Sequence, residues 1–315
     1  MLSRQRSARG PRPNLHSRGR FDNLHEIRGL DPVRDLNRIV WLTSRHEFPW
    51  DYTQGTGIAF LRDYGVPSIA RLLDRTRQFE DDGVKRYDDT LLFAEEATVE
   101  GIDSPRARAG VRRLNRIHGH YDIPDDEFRY VLATTIVGPV RWIDEYGWRP
   151  LDPVEVQALA NFTSRFGTMM GIKDLPTTYD GYLELLTSYE REHFAFDPAN
   201  RRVTEATLRV ARRIAPAPLR PVVRRVTIAL MDEPLREALG MPRQPAWFVT
   251  AVRAGLRLRA RVLRLAPPRR TAYHHRPSSY PQGYTLGDLG PASMLDELNA
   301  RHRGPATPEG DRHDP

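Results

Sequence analysis

The chain has no cysteine. Disulfides, iron–sulfur clusters, thiolate-ligated haem and cysteine nucleophiles are therefore excluded. No apolar run approaches the ~18 residues that a membrane-spanning helix needs, so no transmembrane segment is expected. The first twenty residues contain no acid, only six arginines together with Gly10, Pro11 and Pro13. Such a stretch has too little apolar surface to order itself, and it reads as a disordered basic tail over 1–20. It lacks the apolar segment of a secretory leader, and no twin-arginine pair precedes one. The expected location is the cytoplasm. Lysine is scarce, and the net charge of +7 comes mainly from arginine. No aromatic-interleaved basic motif or zinc-finger spacing accompanies that charge, so it reads as a solvated surface and no nucleic-acid partner is expected.

What is present is helical periodicity from Phe21, in a chain whose 315 residues are enough for one large domain with at most a small appendage. Asp31 and Pro32 pair a capping acid with a first-turn proline and predict a helix to about Ser44. Phe48-Pro-Trp-Asp51 breaks it as an aromatic turn, and helices follow over about 54–63 and 67–80. Ile123-Pro-Asp-Asp126 starts a further helix through about Tyr146, and its high apolar content all round from Phe128 through Val140 predicts a central buried helix. Gly138-Pro139 should kink it, either for packing or for close approach of a flat cofactor. Asp152-Pro153 opens a helix to about Gly171, whose Met169-Met170 pair reads as gap-filling core. Another helix runs from about Tyr179 to Phe194. Its Glu190 and His193 have the spacing of a di-iron ligand pair, but a second such pair is missing, so non-haem iron is only a minor alternative.

The helical domain is thus expected over 21–240. Residues 241–265 form a basic amphipathic helix, with Trp247, Phe248, Val252, Leu256, Leu258 and Val262 set against five arginines. It either covers an apolar face of its own domain or, through residues 245–265, makes peripheral contact with an anionic membrane. From Ala266 to the end, Pro, Gly, Arg and His dominate and predict a mostly disordered tail over 266–315, in which His274-His275 is too isolated for a haem site.

Lys85 to Tyr121 carries the strongest chemical signal. It reads as two helices joined by Gly-Ile-Asp-Ser-Pro. On the first, Arg86 and Thr90 lie four apart and share a face with Phe93 and Ala97. The second opens with Ser104 as N-cap and Pro105 at the first helical position. Val111, Leu114, Ile117, His118 and Tyr121 share one side; Arg112, Arg113, Arg116 and His120 share the other, which should turn to water. His118 therefore points inward and His120 outward. An inward histidine is a core imidazole or a metal ligand. Buried Arg86 needs an anion, either a protein carboxylate such as Glu96 or a cofactor propionate.

Arg-Tyr-Asp-Asp-Thr (Arg86 to Thr90), then Asn115-Arg-Ile-His118 with Tyr121 three residues on, resembles the MpaB-like oxygenases, the domain of unknown function once numbered 2236, whose superfamily includes the rubber oxygenases. Leu24-His-Glu-Ile-Arg-Gly-Leu-Asp-Pro32, Phe48-Pro-Trp-Asp51, Pro139-Val-Arg-Trp142, Tyr146-Gly-Trp-Arg-Pro150 and Met170-Gly-Ile-Lys-Asp-Leu-Pro176 extend the resemblance from about Leu24 to about Thr207. It implies an all-α fold, a single large helical domain like the globin-related rubber oxygenase core, binding haem b. His118 is then the proximal iron ligand, and Arg86 and Thr90 are the catalytic and haem-binding partners. Dioxygen and a small apolar, unsaturated substrate are implied, with oxidative C=C cleavage as the reaction. One feature departs from the family. Rubber oxygenases place a proposed base, a glutamate, upstream of that arginine, and here the nearest acids, Asp74 and Glu80, match poorly. A non-catalytic haem-binding protein and a purely structural helical protein are the alternatives.

Overall fold

A computed structural model describes residues 19–300. Expectations for 1–18 and 301–315 lie outside the described residues. The fold is all-α, with no strand among the described residues. The first third comprises α1 (Asp22–Arg28), α2 (Leu36–Trp41), a π-helical turn (Leu42–Glu47), α3 (Pro49–Asp63), α4 (Pro67–Thr76), α5 (Gln78–Asp81) and α6 (Gly83–Val99). The centre comprises α7 (Pro105–His118), α8 (Asp125–Tyr146), α9 (Pro153–Met169) and α10 (Tyr179–His193). After these come α11 (Pro198–Ile214), α12 (Val223–Leu230), α13 (Glu233–Ala238), α14 (Ala246–Leu265) and α15 (Leu295–Ala300).

Helix starts follow local chemistry. Ser104 accepts from the Ala107 amide at the head of α7, and Asp152 forms a reciprocal capping box with Glu155 at the head of α9. Asp31-Pro32 does not open a helix. Asp31 accepts from the Val33 and Arg34 amides in a turn, and α2 begins only at Leu36. Phe48-Pro-Trp-Asp51 begins α3 rather than breaking the chain, because Pro49 sits in its first turn. The expected helix over 67–80 is split at Arg77, whose φ is 54°.

Helix α8 is the axle of the domain. Tyr130, Ala133, Ile136, Val137, Val140 and Ile143 are buried on it, and α3, α9, α10 and α14 all pack against it. Its crossing with α3 is close because both sides lack side-chain bulk. A Cβ at Gly55 would lie 2.5 Å from Pro139 Cα, and one at Gly138 would lie 2.7 Å from the Gly55 carbonyl oxygen. The Gly138-Pro139 step therefore serves helix packing. Beside this crossing, the buried Arg149 guanidinium is held by Glu155 at 2.6 and 3.0 Å and by Glu47 at 3.1 Å. Thr43 donates to Glu155 and Asn23 to Glu47, so one buried ionic cluster joins α1, the π-helical turn and α9. Buried charges survive only when paired and hydrogen-bonded in this way.

The expected disordered tail from Ala266 is corrected for residues 266–300. Leu289 and Leu298 are buried against Leu92, Phe93 and Ile117. Composition misleads here because the segment is held by polar contacts made far along the chain. His275 Nε2 lies 2.9 Å from Asp88 Oδ1, the Tyr280 hydroxyl donates to Asp89 and the Tyr284 hydroxyl to Glu96. The same segment corrects the reading of the arginine face of α7. Arg112 is exposed, but Arg113 is buried and donates to the carbonyls of Leu289 at 2.6 Å and Gly287 at 2.7 Å. Arg116 donates to the Leu298 carbonyl.

Gly55→Ala is expected to destabilise the fold by about 3 kcal/mol through overpacking at the α3–α8 crossing. Gly57→Ala, inside the same helix and with nothing within 4 Å of its Cβ, should instead stabilise by up to about 1 kcal/mol. Urea unfolding of the two variants checks this, and equal midpoints would contradict it.

Candidate functional site

A cavity of about 160 Å³ lies between α4, α6, α7 and the start of α8. Its walls are apolar: Ile69, Leu72 and Leu73 from α4, Phe93 from α6, Leu114 and Ile117 from α7, Phe128 and Val131 from α8. Gly290 and Pro291 of the C-terminal segment close one side. Arg86, Asp89, His118 and Glu127 are the charged or titratable groups in this lining besides Tyr121.

The sequence argument places the two histidines as the structure does. His118, the last residue of α7, faces the cavity, with its ring 5.3 Å from that of Phe128. Its Nδ1 is shielded from solvent and has no hydrogen-bond partner among the described residues. Burial, aided by the nearby Arg86 charge, pushes its pKa down from 6.5 to about 4. The imidazole is therefore neutral near pH 7, the form that ligates metals. His120 is exposed, with its ring bonded to the Arg116 carbonyl and to Glu297. Helix α7 ends at His118 rather than continuing to Tyr121, yet the following turn still brings Tyr121 to the cavity.

Arg-Tyr-Asp-Asp-Thr divides its labour across α6. Arg86 Nη1 donates to Thr90 Oγ1 at 2.9 Å, and its guanidinium lies 5.8 Å from the Phe79 ring centroid. It forms no ion pair among the described residues. The expected carboxylate partner Glu96 is held instead by Arg106 and Tyr284. Thr90 does not line the cavity; its hydroxyl orients Arg86. Asp88 and Asp89 secure the C-terminal segment, Asp89 through Lys85 at 2.7 Å and the Gly290 amide at 3.0 Å.

Glu127 is the residue that sequence reasoning missed. It is 6% exposed, lines the cavity and has no hydrogen bond or ion pair among the described residues. As one of three acids in the first turn of α8 it looks like a helix-dipole partner; only the packing separates it from Asp125 and Asp126. Neither Asp74 nor Glu80 reaches the cavity, and Asp74 is paired with Arg202.

The other candidates serve the fold. Glu190 is bonded by Arg62 and Tyr130, and His193 stacks on Tyr189 with centroids 3.9 Å apart, so this pair is unavailable for iron. No group of three or more metal-ligating side chains occurs among the described residues. Trp142 donates to Asp51, Met169 packs in the core, and neither Gly138 nor Pro139 lines the cavity.

A family model described as "ER-bound oxygenase mpaB/B'/Rubber oxygenase, catalytic domain" matches residues 52–265. The chain is similar to the ER-bound oxygenase mpaB' of Penicillium brevicompactum, 32% identical over 245 residues, covering 72% of this chain and 58% of that protein. It is similar to the ER-bound oxygenase mpaB of Penicillium roqueforti (strain FM164), 30% identical over 215 residues, covering 62% of this chain and 72% of that one. It also resembles mpaB of Penicillium brevicompactum, 32% identical over 173 residues, covering 49% and 44%. The chain thus spans 58% of the first relative's length.

Between about pH 6.5 and about 4 the unfolded chain protonates residue 118 while the fold keeps it neutral. Stability should therefore fall as pH drops through that window. In cofactor-free protein, His118→Gln should remove roughly 3 kcal/mol of that loss. Urea titrations across the window check this, and identical pH slopes would contradict it.

Proposed function

The chain belongs to the ER-bound oxygenase mpaB/B'–rubber oxygenase catalytic-domain family, and from that premise we propose that it is a haem b-dependent oxygenase. Its substrate is a small apolar, unsaturated molecule of terpenoid or lipid type, and the reaction is oxidative cleavage of a C=C bond. The observation that supports this reading is the neutral His118 imidazole, without an Nδ1 partner, in an apolar cavity beside an arginine with no carboxylate. A core histidine would have a hydrogen-bond partner, and a structural arginine would have an anion.

The donor set fits haem b. His118 would hold the iron and Arg86 would be the cation for a propionate, and the leucine, isoleucine and phenylalanine walls would suit both macrocycle and substrate. Haem, when bound, supplies the dioxygen chemistry. The protein would supply the His118 nitrogen, a largely apolar surround and placed charge. Thr90 fixes the Arg86 guanidinium. Glu127 takes the place left by the missing upstream glutamate, as a carboxylate able to hold and return a proton inside the cavity. The enclosed volume of about 160 Å³ is smaller than the ~300–1,000 Å³ of ordinary ligand pockets. Admitting a macrocycle would therefore require the cavity to widen.

The test is a visible spectrum of protein produced with iron and haem precursor. A Soret band is expected in wild type and His120→Ala and should be lost in His118→Ala. Glu127→Gln should keep the band and slow oxygen uptake with unsaturated lipids by about 100-fold. No Soret band in wild type, even after haem addition, would overturn the reading. A band retained in His118→Ala would assign the ligand elsewhere.

A further inference from the structure

Helix α14 packs one side on α8 and α12 and leaves the other uncovered. Its inner side is set by Arg259, which pairs with Asp51 at 2.8 Å and stacks on Trp50 at 3.7 Å, and by Leu263, which joins the core. At about 100° per residue, Trp247, Ala251, Ala254, Leu258, Val262 and Leu265 fall within one narrow outer arc. All six are exposed: Trp247 by 69%, Leu258 and Val262 by 60% each, and Leu265 by 89%. The sequence left open whether this amphipathic helix covers its own domain or a membrane. The structure shows that the domain uses the other face.

The charge carried by this helix and its flanks is of one sign, and Glu145 of α8 reaches it only at Arg257, at 2.9 Å. Between Met241 and Arg270 there are eight arginines and no acid. Arg261 and Arg264 lie along one side of the stripe, Arg269 and Arg270 follow the helix, and none of the four is ion-paired among the described residues. The neighbouring link from α11 to α12 exposes Ile214, Leu219 and Val222, and no acid occurs between Glu205 and Asp232. No helix among the described residues is long and apolar enough to cross a membrane.

We propose that the outer face of α14 docks on the surface of an anionic phospholipid bilayer. The apolar stripe would enter the acyl boundary, and Arg261, Arg264, Arg269 and Arg270 would meet lipid phosphates and carboxylates. Charge selects this occupant. A second copy of the chain in a two-fold contact would set the same unpaired arginines against themselves. An anionic bilayer supplies both an apolar layer and opposite charge, the two attractions that hold amphipathic helices at interfaces. The inference does not rest on the haem reading, because it concerns a different surface.

The test is co-sedimentation of the full chain with phosphatidylcholine vesicles, with and without phosphatidylserine. Binding is expected with phosphatidylserine, weak without it, and reduced by salt. Leu258→Asp and the double variant Arg261→Glu/Arg264→Glu should each weaken it by about tenfold or more. Leu258 is exposed, so Leu258→Asp should leave the far-UV circular dichroism and any Soret band unchanged. Absence of binding to phosphatidylserine vesicles would overturn the proposal. So would binding that both variants leave intact, or a solution dimer that Leu258→Asp dissociates.

Discussion

Everything that positions the cavity depends on how closely α3 can approach α8. At Gly55, Gly138 and Pro139 the two backbones meet with no room for a Cβ on either glycine. That contact fixes the direction of α8, and the first turns of α8 bring Glu127, Phe128 and Val131 to the cavity. The far half of the same helix carries Trp142 to Asp51, where Arg259 of α14 also docks. One close crossing therefore sets both the inner wall of the site and the seat of the basic helix. Protein interiors transmit small shifts because they are packed to crystal-like density.

The polar groups fall into two populations. Arg149 with Glu47 and Glu155, and Arg62 with Glu190, are buried but fully engaged. They hold helices in register and have no capacity left for a ligand. Arg86, His118 and Glu127 converge on the apolar cavity without ion pairs among the described residues. Leaving Arg86 and Glu127 without a charged partner and His118 Nδ1 without a hydrogen bond costs stability that a purely structural protein has no reason to forgo. The contrast separates family-like motifs that build the scaffold from those that face the cavity. Phe48-Pro-Trp-Asp51 and Tyr146-Gly-Trp-Arg-Pro150 belong to the scaffold. Arg-Tyr-Asp-Asp-Thr belongs to both, since Arg86 faces the cavity while Asp88 holds the C-terminal segment.

Much of this was legible in the sequence because it is local. Ser104-Pro105 and Asp152-Pro153 announce their helices, and the 3.6-residue period alone turns His118 inward and His120 outward. What was not legible depends on contacts distant in the chain. The segment over 266–300 has no apolar period, and its order comes from carboxylates on α6 nearly two hundred positions earlier. The burial of Arg113 follows from the same segment, whose carbonyls offer acceptors that no helical wheel reveals. Glu127 sits among acids that α8 would carry at its N-terminus in any case, so only tertiary packing distinguishes it. Thr90 was placed on the correct face, but its hydroxyl is spent on Arg86 rather than on the cavity.

The central proposal is that the imidazole at position 118 would hold the iron of a bound haem. Chemical rescue tests it most directly. Haem retention and the Soret band would be measured for His118→Gly with and without added imidazole. The account predicts that the variant loses haem and regains it, with the band, when imidazole fills the vacated space. A His118→Gly variant that holds haem as tightly as wild type without imidazole would contradict the claim.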